Sequence, residues 1–261
     1  MTDILAIIGA GNMGAAFYAG LRGKTRLRIN LCDHNREKLD ALNPEHAFDD
    51  PREGINNASA VLLAVKPQSA KELLMELSPA LSDRLIISIM NGITIASLEK
   101  LTRSPRIIRA MPNLPSQVKQ GFTGWFASQA VTENDRTFAR QIFDAVGEQM
   151  ELEKEALINV IAALSGCGPA YFFYMAELLA ARAIQEGFSQ QEASVIARQT
   201  LIGSGTLLQE TDKSPAEWRA AVSSKGGSTE AAIRSLQNAK LDEHFSAAID
   251  AAIKRSQELS Q

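Results

Sequence analysis

"IIGAGNMG", Ile7–Gly14, closes a short apolar run that begins at Ile4 and leads into "AAFYAGL", a segment with helical apolar spacing. Gly9, Gly11 and Gly14 form the pattern G-x-G-x-x-G at the first junction between a strand and a helix. At such a junction the first glycine permits a tight turn, the second lets backbone approach a pyrophosphate, and the third lets helix and strand pack closely. The helix N-terminus then offers free N–H groups to the phosphates. Roughly 20 residues on, a second β-rich run, "RLRINLCD", ends at Asp33, the place of an acid that accepts from a ribose 2′-hydroxyl. A glycine turn in any α/β protein would carry the same glycines, so it is the spacing to Asp33 that directs the reading toward a dinucleotide.

The pattern continues outward from this motif. Up to about Ala127, short β-branched runs ("ILAII", "RLRINLCD", "AVLLAV", "RLIISI", "RIIRAM", "GFTGWFAS") alternate with amphipathic stretches, as βα units of a parallel sheet buried on both faces would. One helix is expected in "SAKELLMELSPAL", where Leu73, Leu74 and Leu77 recur at helical spacing. Another, "ENDRTFARQIFDAVG", is expected to end on Gly147 as its C-cap, before a last strand-like run, "EQMEL". After Glu153 strand signals stop and the remaining stretches read as helices. The expected fold is therefore α/β, with a Rossmann-type dinucleotide-binding domain over residues 1–153 and an all-helical domain over 154–261. In "PAYFFYMAELLAARA", Phe172, Met175 and Leu179 make one apolar stripe and Tyr171, Tyr174 and Leu178 another beside it. That arc is too wide for a surface helix, so the helix is central or covered by a partner subunit.

Composition narrows the function classes. The chain has 261 residues, 45% of them apolar, and a formal charge of -3, so no basic field calls for nucleic acid. The first apolar run is preceded by Asp3 and broken by the glycine turn, which leaves neither a basic leader nor a membrane-spanning length. The expected location is the cytoplasm. Cys32 falls in a strand and Cys167 in a glycine turn far along the chain, so no structural disulfide is expected. His34, His46 and His244 are too scattered for a local metal motif, and no metal is expected.

The ribose 2′-position draws two conflicting signals. Asp33 favours NAD, because a carboxylate repels a 2′-phosphate. Asn35 and Arg36 favour NADP, since a guanidinium just past the strand pairs with that phosphate or stacks on adenine. The same residues in "DHNREKLD" also read as a capped, solvated helix start. Both cofactors are expected to work.

Four further stretches bear on the reaction. "AVKP", from Ala64, and "RAMPNLP", from Arg109, each follow a strand, at the sheet edge where open α/β sheets bind ligands. "ALSGCGPAY", from Ala163, and "VSSKGGSTEAAI", from Val222, each run small residues into a helix start, where N–H groups meet a positive dipole end. In the last of these, glycines allow close approach and Ser228 and Thr229 add hydroxyl donors, which suits a carboxylate. An ordinary serine N-cap after flexible glycines would use the same residues.

Taken together, "GxGNMG", "AVKP", "RAMPNLP", "ALSGCGPAYFF" and "VSSKGGST" resemble, in order and spacing over nearly the whole chain, the pyrroline-5-carboxylate reductase family. The resemblance implies an N-terminal Rossmann domain holding NADP or NAD and a helical C-terminal domain interlocked with a dimer mate, with assembly beyond the dimer left open. It also implies a substrate loop formed by Ser224, Gly226, Gly227, Ser228 and Thr229. By the same resemblance Thr229 is the catalytic hydroxyl at the substrate nitrogen, Ser224 and loop N–H groups hold the substrate carboxylate, and Asn12, Met13, Ala64, Lys66, Met111 and Asn113 line the cofactor. Two positions depart from the family pattern: Lys225 stands where proline is usual, and Cys167 where serine is common.

The chemistry fits this chain better than its alternatives. Reducing a ketone requires a proton donor at oxygen, usually His, Lys or Tyr, yet no lysine lies between Ala170 and Phe188 on the central helix. A 3-hydroxyacid dehydrogenase would place its lysine there. A cyclic imine is basic enough to arrive protonated, and hydride addition discharges it, so orientation by one hydroxyl suffices. Asp212 is a further candidate, as an acid that would stabilise the protonated ring nitrogen. A protein that binds NAD(P)H to gate a partner, without turnover, is the alternative of a different class.

Overall fold

The computed structural model describes residues 3–23 and 27–260. Eight strands, β1 (Ile4–Ile8), β2 (Arg28–Cys32), β3 (His46–Phe48), β4 (Ala60–Leu63), β5 (Leu85–Ser88), β6 (Ile107–Met111), β7 (Gly121–Ala127) and β8 (Gly147–Glu151), form one sheet in the order β3-β2-β1-β4-β5-β6-β7-β8. Between them run α1 (Asn12–Leu21), α2 (Arg36–Leu42), α3 (Pro51–Ile55), α4 (Pro67–Leu81), α5 (Ile95–Thr102) and α6 (Glu133–Asp144). Then follow α7 (Leu157–Ile161), a π-turn over Ala162–Gly166, α8 (Gly168–Gln185), α9 (Gln190–Gln209), α10 (Pro215–Ala221), α11 (Ser228–Asn238) and α12 (Leu241–Leu259).

The strand alternation sends successive side chains to opposite faces. Leu5, Ile7, Leu31, Leu62, Ile87, Ile108 and Trp125 pack with Phe17 of α1 and Phe143 of α6 on one face. Ala6, Ile8, Val61, Leu63, Ile86 and Ile107 pack with Leu74, Leu77 and Leu81 of α4 and Leu98 of α5 on the other. Both faces of the sheet are therefore buried, as its continuous apolar strands require.

Three local expectations need correction. The strand at His46–Phe48 carries no apolar run and was not anticipated; it forms because β2 offers a parallel edge, pairing Asn30 with His46 and Cys32 with Phe48. β7 runs antiparallel to β6, with Ala110 opposite Trp125, although its sequence resembles the parallel strands before it. The short connection through a 3₁₀ turn at Leu114–Val118 is too brief for a crossover helix, so the chain must reverse. Gly147 does not cap α6, whose C-cap is Ala145. Instead Gly147 opens β8 at φ 145°, and a Cβ there would meet the Gly121 carbonyl oxygen at 2.0 Å.

The chain divides into two compact units, one of Met1–Cys167 with Ala252–Gln261 and one of Gly168–Ala251. Strands end at Glu151, yet α7, the π-turn and the last turns of α12 (Leu241–Leu259) belong with the sheet unit. In the helical unit α8 buries only Gly168. Phe172, Tyr174, Met175, Leu178 and Leu179 are all exposed, Phe172 and Tyr174 at 60%, whereas Tyr171 packs edge-on against Phe245, so most of the arc expected to be covered lies open among the described residues of one chain.

Candidate functional site

At the carboxyl edge of β1, the glycine turn is built by close approach. Gly9 adopts φ 105°, and a Cβ on it would meet the Ala64 carbonyl oxygen at 2.6 Å. A Cβ on Gly14 would lie 1.8 Å from the Gly9 carbonyl oxygen, so only glycine lets α1 start so near β1. Gly11 differs, since nothing lies within 4 Å of a Cβ placed there. The space above Gly11 is open, which leaves room for a pyrophosphate against the backbone.

A cavity of about 530 Å³ sits at this edge and brings together Gly9, Gly11, Asp33, Ala64 and Lys66 from the expected set. It is also lined by Cys32, His34, Lys38, Pro51, Val65, Ser69 and Leu73, which the sequence reading did not assign to a site. Lys38 carried a signal: it lies within the quoted "DHNREKLD", one helical turn beyond the strand end. Two helices begin at this cavity, α1 after Gly11 and α4 after Lys66, and neither N-terminus is capped by a side chain. By contrast α2, α3, α5 and α6 are capped by Asn35, Asp50, Thr94 and Thr132. The cavity thus gathers two uncapped helix starts, the usual setting for an anion.

Asp33 is buried, with Oδ2 accepting from the Ala10 N–H at 2.7 Å and from Lys38 Nζ at 3.4 Å, and Oδ1 accepting from the Asn35 N–H at 2.9 Å. Burial pushes its carboxyl up, but the Asn35 and Ala10 N–H groups and the Lys38 ammonium outweigh burial and hold it below the ordinary carboxylate value. Behind it, burial and then the charge of Asp50 push the Cys32 thiol up to about 12. Asn35 accepts from the Lys38 N–H to cap α2. Arg36 is exposed and pairs with Asp40 at 3.0 Å and Asp49 at 3.3 Å.

The remaining expected cofactor residues lie elsewhere in the sheet unit. Asn12 is exposed in the first turn of α1, and Met13 is half-buried against the core. Asn113 donates to Ser165 Oγ at 3.0 Å and accepts from the Phe122 N–H at 2.9 Å. A Cβ on Gly166 would meet the Met111 terminal methyl at 2.7 Å. "RAMPNLP" and "ALSGCGPAY" are therefore joined through the π-turn, which closes with the Cys167 N–H on the Ala162 carbonyl at 2.8 Å. Such π-turns are frequent at functional sites.

In the helical unit, the segment before α11 forms a tight turn. Gly226 has φ 74°, the Gly227 N–H donates to the Ser224 carbonyl at 2.9 Å, and the Gly226 N–H donates to Glu230 Oε2 at 2.6 Å. Glu230 pairs in turn with Arg234 at 3.3 Å. The N–H groups of both glycines are thus engaged within the loop. Gly227 is the N-cap of α11, again without a side-chain cap, so the donors that face outward are those of Ser228 and the residues after it. Thr229 is half-buried and Ser224 and Ser228 are exposed. Asp212 lies between α9 and α10, beside Thr211, which accepts from the Trp218 indole N–H at 3.0 Å. Among the described residues no cluster of His, Cys, Asp and Glu is placed to hold a metal.

Comparison with known proteins bears on the whole chain. Residues 155–259 match the family described as pyrroline-5-carboxylate reductase dimerisation, and residues 4–92 match the family described as NADP oxidoreductase, coenzyme F420-dependent. The pyrroline-5-carboxylate reductase of Pseudomonas aeruginosa is 38% identical over 100% of this chain and 98% of its own. That of Vibrio alginolyticus is 33% identical over 98% and 97%. Among solved structures, a pyrroline-5-carboxylate reductase from Coxiella burnetii superposes with a TM-score of 0.93 at 39% identity, covering both chains completely (100% and 100%). The Plasmodium falciparum pyrroline carboxylate reductase with NADP bound gives 0.85 at 26% identity, covering 99% and 98%. On this whole-length similarity, the chain belongs to the pyrroline-5-carboxylate reductase family.

Proposed function

We propose that the protein reduces 1-pyrroline-5-carboxylate to L-proline with NADPH or NADH, as a cytoplasmic homodimer performing the last step of proline biosynthesis. The observation that carries this reading is that the uncapped starts of α1, α4 and α11 coincide with the glycine turn, "AVKP" and "VSSKGGST". α2, α3, α5, α6, α9 and α10 begin under their own side-chain caps, whereas the starts at these three motifs do not and are open to a ligand.

Gly9, Gly11 and Gly14 shape the cradle for the pyrophosphate, with Asn12, Met13, Ala64 and Lys66 around it and Met111 and Asn113 at the end of β6. Asp33, Asn35 and Arg36 border the ribose. A bound reduced nicotinamide supplies the hydride. The chain's own residues bind and orient the substrate: Ser224 Oγ and the first N–H groups of α11 hold its carboxylate, and Gly226 and Gly227 shape the loop. The Thr229 hydroxyl fixes the ring nitrogen, and Ser228 adds a second hydroxyl at the helix start. The iminium carbon gains a hydride while its nitrogen keeps its proton, so the product is the neutral amine and no oxyanion forms. No acid or base side chain is demanded at the reacting carbon, which agrees with the lack of a lysine on α8. Asp212 would stabilise the cationic ring by charge alone.

The helical stretch Leu157–Gln185 is long and apolar enough to cross a membrane by length and composition. We assign its exposed apolar residues to a second copy of the chain, because the dimerisation family match, residues 155–259, covers the whole of that stretch. A two-fold dimer covers such an arc symmetrically.

The test is the oxidation of NADPH and of NADH, in parallel, with and without pyrroline-5-carboxylate. Substrate-dependent oxidation is expected with both. Folded protein that oxidises neither overturns the reading, and cofactor binding without turnover would favour a redox-sensing protein instead.

A further inference from the structure

An acid at the end of β2 that reads a ribose must present free lone pairs to the cofactor. Asp33 has little of that freedom: of about four lone-pair sites on a carboxylate, three are taken by the Ala10 N–H, the Lys38 ammonium and the Asn35 N–H. Its side chain is 5% exposed, and both oxygens are already turned to the protein: Ala10 N–H and Lys38 Nζ on Oδ2, Asn35 N–H on Oδ1. A second tie lies beside the first, where the Gly9 N–H donates to the Cys32 carbonyl at 2.7 Å. The glycine turn is thus fastened to the end of β2 at two successive residues, and the carboxylate extends that fastening to the first residue before α2. Lys38 projects from α2 onto the same carboxylate and lines the same cavity, so the charge that would repel a 2′-phosphate is offset at its source.

We propose that Asp33 is a positioning residue: it locks the glycine turn to the start of α2, Lys38 balances its charge, and discrimination at the ribose 2′-position rests with other residues. The inference deepens the reading that this cavity takes NAD(P)H and rests on it. It resolves the conflict between Asp33 and Arg36, because a carboxylate spent on backbone N–H groups neither selects NAD nor excludes NADP.

The experiment is calorimetric titration of NADPH and NADH into the full-length, unloaded protein and three variants. For Asp33→Asn the dissociation constants of both cofactors are expected to rise together, by about tenfold, with their ratio held within about twofold. For Lys38→Met the exposed charge is expected to weaken NADPH alone, by roughly threefold or more. If Asp33→Asn weakens NADH alone or strengthens NADPH, Asp33 reads the ribose and the proposal fails. If it changes neither cofactor while Arg36→Ala weakens binding, the cavity reading stands and the positioning role fails. If neither Asp33→Asn nor Arg36→Ala affects either cofactor, the cavity reading itself has failed. Should Asp33→Asn not fold, the wild-type protein supplies the test through nuclear magnetic resonance: the amide protons of Ala10 and Asn35 must shift together with the Asp33 carboxyl as it is titrated. Amide protons that ignore that titration overturn the proposal.

Discussion

Arg109, in the middle of β6 and only 2% exposed, donates from Nη1 to Glu155 Oε1 at 2.9 Å. The same oxygen accepts from the Ile95 N–H at 2.9 Å, so one carboxylate neutralises the buried guanidinium and receives the first turn of α5. The other guanidinium nitrogen, Nη2, reaches Asn159 Oδ1 at 3.4 Å and Ser260 Oγ at 3.3 Å. Asn159 also accepts from Ser256 Oγ at 3.2 Å. A polar network therefore fixes the last turn of α12 to the sheet, where a Cβ on Gly92 would meet the Leu259 carbonyl oxygen at 2.6 Å.

Glu155→Ala leaves that guanidinium buried without its counter-charge. A loss of about 3 kcal/mol is expected, from the range for breaking a buried pair, read as a lower midpoint in chemical denaturation. Replacing both partners by apolar residues, Arg109→Met with Glu155→Leu, is expected to cost less than the single change. Equal losses for the single and double variants would show that the pair is not what holds Arg109.

Thr229→Ala is expected to lower turnover while leaving the affinity for NADPH nearly intact, because its hydroxyl is assigned to the substrate alone. The loss of one charge-assisted hydrogen bond, about 1.5–3 kcal/mol, corresponds to roughly ten- to a hundredfold in rate. Steady-state kinetics with each substrate varied in turn checks this, and a matching loss of NADPH affinity contradicts it.

Acid stability should follow Asp135. Burial raises its carboxyl, but the Arg106 guanidinium and the N-cap residue Thr132 outweigh burial and hold it below the ordinary value. A carboxylate depressed in the folded state contributes stability above its unfolded value, near pH 3.9, and loses it as pH falls through the folded value. Wild-type stability is expected to drop as the pH goes from about 4 toward 2, whereas Asp135→Asn should be weaker at neutral pH and flatter across that interval. Parallel slopes for the two proteins would rule out this source.

Mixed dimers report whether a site is shared between two chains. Gly11→Asp blocks the pyrophosphate cradle, and the open space around Gly11 lets that side chain enter without displacing the fold. Thr229→Ala with Gly227→Asp removes the substrate loop. If the Rossmann domain of one chain faces the loop of its mate, co-refolding the two dead variants restores roughly a quarter of wild-type activity, since half the dimers are mixed and each has one intact site. A mixture as inactive as its parents places both halves of the site within one chain.

The sequence made the glycine turn legible because Gly14 answers to the Gly9 carbonyl within the same motif, a relation that spacing alone records, although the approach of Gly9 to Ala64 is not written in that spacing. It also exposed the strands that are apolar on both faces. It hid β3, whose half-buried residues owe their strand geometry to a neighbouring edge, and the reversal at β7, which depends on connection length rather than on strand composition. In the candidate site, Gly11, Ala64 and Lys66 were found by motif, whereas the partners of Asp33 were not, because two of them are main-chain N–H groups that no side-chain pattern encodes. The Arg109 network was out of reach for a related reason: Glu155 and Ser260 are separated from it by 46 and 151 positions.

The reversal at β7 also sorts the loops by which rim of the sheet they occupy. Because β7 pairs antiparallel with β6, its exit at Ala127 lies beside the entry of β6 at Ile108, on the rim opposite the glycine turn. Ser128 is fastened there, donating to the Pro105 carbonyl at 2.6 Å and accepting from the Ile107 N–H at 3.1 Å, but the next two residues, Gln129 and Ala130, are exposed. A short reporter peptide spliced between Gln129 and Ala130 would thus sit on the far rim from the cofactor cradle, giving a place to label or tether the enzyme while NADPH titrations still read the native pocket.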